Sequence, residues 1–197
     1  MLLSLVPLAA TYWGLMTAAG AGESRQVNLR QEAGLRAALA LYAERAAWAQ
    51  RRAEGIARSR PLQRALEHRD LGALRRIVAE APSVYVVGAR GLRAGIAPRL
   101  AVRLPVEVVA STRRLGRVVA VVPLDEALVD RLRRRAIFAT GDVLALLEEG
   151  RIVAASPSLR GSVPTAAGSG TVSLSGSRYR VLVAPSLPGA WARASPS

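Results

Sequence analysis

A single histidine, His68, and no cysteine leave hydroxyls, carboxylates and arginines to carry any chemistry in this 197-residue chain. A serine, histidine and carboxylate triad would have to route its proton through His68. That residue falls within an expected helix beside Glu67, Arg69 and Asp70, and no Gly-x-Ser-x-Gly turn presents a nucleophile. A solvated helix face accounts for it. Gly88-Ala89-Arg90-Gly91 follows a strand as a phosphate loop would, but the chain has no lysine to reach phosphates and no helix opens there. Asp125, Glu126 and Asp130 are oxygen donors of the kind that hold cations. Their spacing places them in the first turns of a helix, where acidic side chains complement the macrodipole, and Arg131, Arg133, Arg134 and Arg135 complete that charge order at the other end. Capping is their expected role. Catalytic residues, metal ligands and cofactors are therefore not expected.

The formal net charge of +14 would ordinarily point to nucleic acid or anionic lipid. All 28 basic residues are arginine, alanine, leucine and glycine abound, and the arginines are spread from Arg25 to Arg193. This is the imprint of a GC-rich genome on codon choice. With aromatic residues at 4%, base stacking has few platforms, and no nucleic-acid partner is expected. A hydrophobic content of 51% suffices for a core, and the length fits one domain plus an N-terminal segment.

Residues 2–21 carry no charged side chain, and about 20 apolar or small residues match the thickness of a bilayer. The segment reads as a membrane helix or signal anchor. A cleavable signal peptide remains open, because Ala19-Gly20-Ala21 has the small-x-small pattern. Arg25, Arg30 and Arg36 follow it, which by charge alone would keep the remainder cytoplasmic. Residues 23–58 lack proline and read as one long helix. Leu35, Leu39, Tyr42, Ala46, Ala49, Ala53 and Ile56 recur four and three apart, as in a coiled-coil seam. The same pattern suits a helix lying on its own domain or a stalk pairing two copies.

Pro61 opens a short helix, and Asp70 caps a second with Leu71, Leu74, Ile77 and Val78 on its apolar face. Ser83 to Val87 is the first expected strand. Val102 to Thr112 holds another, interrupted at Pro105, and Arg113 to Gly116 turns it back into Arg117 to Val122. A helix over 124–135 and a hairpin around Glu148-Glu149-Gly150 come next. After a Ser/Gly/Pro-rich loop over 156–170, Thr171 to Leu174 and Tyr179 to Ala184 form the last hairpin. Residues 185–197 read as a flexible tail.

The strand ending Val121-Val122-Pro123-Leu124-Asp125, the helix through Leu128 and Leu132, the strand Asp142-Val143-Leu144-Ala145-Leu146 and the run Gly150 to Ser156 resemble bacterial Cache-like sensors of the PAS-like group. The resemblance spans about residues 60–184. It implies an α+β fold, an antiparallel sheet with a long N-terminal helix and short flanking helices. It further implies an extracytoplasmic, membrane-bound sensor domain that binds a small molecule and relays the event through that helix to an output domain absent from these residues. No reaction is implied. In such sensors the ligand lies against the sheet, and Tyr85, Arg90, Glu107 and Ser111 are the candidates: Tyr85 and Arg90 flank the exit of the first strand, Glu107 and Ser111 share a strand face. The alternative is a secreted or anchored basic module that binds anionic polymers or lipid headgroups.

Overall fold

The structure, a computed structural model, describes residues 11–18, 24–136, 138–139, 141–163, 168–174 and 176–185. It is α+β, with every strand pairing antiparallel. The strands of residues 60–184, grouped above around one sheet, divide between two sheets in two compact units. Helix α1 (Ser24–Ala57) contributes residues up to Ala43 to the first unit and residues from Glu44 to the second.

In the second unit α2 (Arg60–Glu67) starts at Pro61 and α3 (Leu71–Ala79) at Asp70, whose carboxylate accepts the Ala73 N–H at 2.9 Å. Both helices lie on a four-stranded sheet, β3-β2-β5-β4, made of β2 (Val84–Gly88), β3 (Arg93–Ala94), β4 (Ala101–Ala110) and β5 (Arg113–Pro123). Leu62, Leu66, Leu74 and Val78 from the helices and Val84, Val86, Val108, Val118 and Ala120 from the sheet are buried. Each large aliphatic side chain so removed from water contributes about 2 kcal/mol.

Two expectations change here. β4 runs straight through Pro105, because β4 is an edge strand and a missing N–H costs an edge little. The reversal into β5 is the two-residue link Ser111-Thr112, so Arg113 to Gly116 are strand and not turn.

The first unit holds β1 (Thr11–Ala18), α4 (Glu126–Arg135), β6 (Asp142–Glu148), β7 (Arg151–Ser156), β8 (Gly168–Leu174) and β9 (Ser177–Pro185), with sheet order β7-β6-β1-β9-β8. β6 is apolar on both faces. Val143, Ala145 and Leu147 join Ala155, Leu174, Val181 and Val183 in one core. Leu144 and Leu146 are also buried, as are Leu128, Val129 and Leu132 of α4, which packs on β6 and β7. The β6–β7 turn has positive φ at Glu149 (51°) and Gly150 (79°), as a two-residue hairpin with right-handed strand twist requires.

α4 begins where Asp125 accepts the Leu128 N–H at 2.8 Å. Replacing Asp125 by alanine is expected to cost about 1 kcal/mol, measured by equilibrium denaturation, with no change in the sheets.

The sequence places Thr11–Ala18 inside a membrane helix, whereas in the structure these residues are the central strand of this sheet. Register pairing on both sides holds them extended, and Thr11, Tyr12, Trp13 and Thr17 are residue types that suit a strand. The rest of the 2–21 expectation, and most of the 185–197 tail, lie outside the described residues. Among those described, no helix is long and apolar enough to cross a membrane. The α1 seam is covered by the chain itself: Leu35, Tyr42, Ala49 and Ala53 are buried, and Leu39, Ala46 and Ile56 are partly so. Burial raises the pKa of the Tyr42 phenol above its ordinary range, which keeps it neutral. A second copy pairing with α1 would have to meet its other faces.

Candidate functional site

Directly opposed residues of an antiparallel pair point to the same face of the sheet. The register of β2, β5 and β4 therefore builds three rows on one face of the second unit. Tyr85, Val119 and Pro105 form one, Val87, Arg117 and Glu107 the next, and Val121 with Arg103 a third. The opposite face is the apolar one sealed by α2 and α3.

One chain segment lies against the polar face. Residues 95–100 lead from β3, at one edge of the sheet, to β4 at the other. The Arg103 guanidinium, which projects from the Tyr85 face, donates a hydrogen bond to the Pro98 carbonyl at 3.4 Å and so holds that part of the segment on this side. Gly95, at φ +94°, sits between α3 and β2: an added Cβ would lie 2.8 Å from the Val78 Cγ1 and 2.9 Å from the Tyr85 Cβ. The face is consequently closed at one end and open at the other. Arg103, Val119 and Val121 are 6%, 4% and 3% exposed, Tyr85 is half-buried, and Pro105, Glu107 and Arg117 are exposed.

The electrostatics follow this gradient. Glu107 is ion-paired with Arg114 on the neighbouring strand, and both are accessible enough that solvent screens the pair to a small contribution. Arg117 stands opposite Glu107 in the register. Arg103 is different, because a guanidinium keeps its charge when buried. A small molecule with a carboxylate or carbonyl group suits such a position, with Tyr85 and the valines supplying apolar contact.

Of the four candidates expected from the sequence, Tyr85 and Glu107 share this face in adjacent rows. Arg90 is exposed in the 3-10 turn Ala89–Gly91 that leaves β2, at φ 55°. Ser111 falls one residue beyond β4, at φ 55° in the hairpin link, so strand alternation with Glu107 does not reach it. Arg103 and Arg117 were missing from the sequence expectation. Their signal was the alternation of apolar 102, 104, 106 and 108 with Arg103, Pro105 and Glu107, which is masked when Pro105 is taken to break the strand.

The remaining chemistry-bearing residues are elsewhere. His68 is exposed at the C-cap of α2, and Asp125 is the α4 cap already described. A cleft of about 340 Å³ lies in the first unit between α4 and the end of β7, where Glu126, Asp130, Ser156 and Ser158 meet. The Ser156 hydroxyl donates to Asp130 Oδ1 at 3.0 Å, and Asp130 pairs with Arg134 at 2.7 Å. These polar groups largely satisfy one another. Among the described residues no group of three or more His, Cys, Asp or Glu is placed to hold a metal ion. Comparison with protein-family models, with curated proteins and with solved structures returned no match.

Proposed function

We propose that the chain is a Cache-like, PAS-like sensory domain of a membrane-bound bacterial signal-transduction protein, facing outside the cytoplasm and binding a small organic anion. The observation that carries this reading is the two-sided sheet of the second unit. One face is sealed by helices, while the other holds a buried arginine bonded to the Pro98 carbonyl and opens onto Tyr85, Arg117 and Glu107. A sheet face that combines a buried arginine with a half-buried tyrosine suits the binding of a small molecule. Ligand closure under residues 95–100 would bias the packing of α1, whose C-terminal part belongs to the same unit.

The test is thermal unfolding of the full chain against organic acids, amino acids and related metabolites. A ligand at 100 times its dissociation constant should stabilise the protein by about 2.7 kcal/mol through mass action. A folded protein that shifts with none of them would remove the support for sensing. The charge of +14 favours one rival, a basic module for anionic polymers or lipid headgroups. Binding that collapses steeply with ionic strength and ignores ligand chemistry would establish that rival instead.

A further inference from the structure

Ile96 is 87% exposed, more than any other large apolar side chain among the described residues. The chain leaves β3, an edge strand of the second unit, through Gly95, which packs closely on Val78 and Tyr85. The isoleucine that follows is turned into water.

Arginines frame it. Arg90, Arg93 and Arg99 are all exposed, and Arg93 and Arg99 each stand three residues from Ile96, within about 11 Å along even a fully extended backbone. From Ala81 to Val106 the chain carries four arginines and no acidic residue. The fourth, Arg103, is the buried one; among the described residues the other three make no ion pair. Helix α3, which packs on β3, adds exposed Arg75 and Arg76. Codon bias accounts for many arginines, but it does not clear one edge of carboxylates or set an isoleucine at its centre.

The pairing of these groups selects the partner. A polyanion in solution would satisfy the guanidiniums and leave the isoleucine in water, and between Arg90 and Arg99 there is no aromatic ring on which a base could stack. A bilayer with anionic headgroups serves both, with phosphates at its surface and hydrocarbon just beneath. We infer that the β3 edge of the second unit is a membrane-surface contact, in which Ile96 enters the headgroup layer of an anionic bilayer and Arg90, Arg93 and Arg99 meet its phosphate groups. This rests on the membrane setting proposed above and adds to it the edge by which the domain lies on lipid. Each arginine near such a surface raises affinity about fivefold, and burying the isoleucine raises it tenfold or more. The contact is weak by itself and gains from the high local concentration of an anchored domain.

The absence of cysteine permits a site-specific test on the full chain. An environment-sensitive fluorophore coupled at I96C should shift to the blue with vesicles of equal parts phosphatidylglycerol and phosphatidylcholine, and should not shift with phosphatidylcholine alone. The same fluorophore at R64C, exposed on α2, should shift with neither. Adding Arg93→Ser and Arg99→Ser to I96C should raise the lipid concentration needed for half the shift about twenty-fivefold, two arginines at about fivefold each. The contact is overturned by an unshifted I96C with phosphatidylglycerol, by an equal shift with phosphatidylcholine alone, or by a lipid dependence that the two serines leave unchanged. Equal shifts at both labelled positions overturn it as well, because the basic surface as a whole would then be collecting lipid. No organic acid enters these measurements, so failure of ligand sensing and failure of the contact are separately visible.

Discussion

Gly116→Val should break the second unit. A Cβ at Gly116 would lie 2.5 Å from the Val87 carbonyl oxygen and 3.0 Å from the Gly88 Cα, and both are backbone atoms of the adjacent strand. Flexible side chains can swing aside, whereas paired backbone cannot move without breaking the ladder. β2 sits between β3 and β5 and carries Val84 and Val86 into the core, so moving it disturbs the sealed face as well. The expected loss is about 3 kcal/mol, the upper range for forcing atoms into a packed interior. Equilibrium denaturation with hydrogen exchange on β2 amides would check it, and a variant with wild-type stability would mean that the β2–β5 approach is looser than described.

Arg103→Met should weaken ligand binding tenfold or more. Methionine matches the length of the arginine stem and packs against Val119 and Val121, but it offers no charge to an anion. Because the exchange also removes the hydrogen bond to the Pro98 carbonyl, affinity is compared on protein shown to be folded without ligand. Losing a charge-assisted hydrogen bond of about 1.5–3 kcal/mol weakens binding roughly tenfold to more than a hundredfold. The measurement is the thermal shift with whichever organic acid stabilises the parent protein. Arg117→Ala and Glu107→Gln, at the open end, should change affinity only a few-fold because solvent screens them. If Arg103→Met bound as tightly as the parent, the polar face of this sheet would not be the ligand site.

Legibility in the sequence varied by element for physical reasons. The starts of α2, α3 and α4 and the β6–β7 turn rest on Pro61, Asp70, Asp125 and Gly150, whose effects act within a few residues. The run of β4 through Pro105 was hidden, because whether a proline interrupts a strand depends on whether its N–H side faces a neighbour. The hairpin link at Ser111-Thr112 was hidden too. Neither residue is a strong turn former, and pairing of Ala110 with Arg113 sets the reversal.

The candidate site divides along the same line. Tyr85 and Glu107 could be proposed from alternation on individual strands, but their membership of one face depends on the register between strands. Arg103 gains its significance only when it meets the Pro98 carbonyl, a contact between positions the sequence does not link by pattern.

The sequence by itself determined the mixed α and β composition, the capped helix starts, the apolar character of β6 and the exclusion of cysteine and multi-histidine chemistry. All of these follow from residue type and short-range spacing. Only the tertiary structure decided that the strands form two sheets, that the α1 seam is buried by its own chain, that Arg103 is buried against the Pro98 carbonyl, and that Thr11–Ala18 are extended. Those outcomes depend on which surfaces meet. For Thr11–Ala18, pairing with β6 on one side and β9 on the other sets the extended backbone, which the uncharged length of residues 2–21 did not reveal.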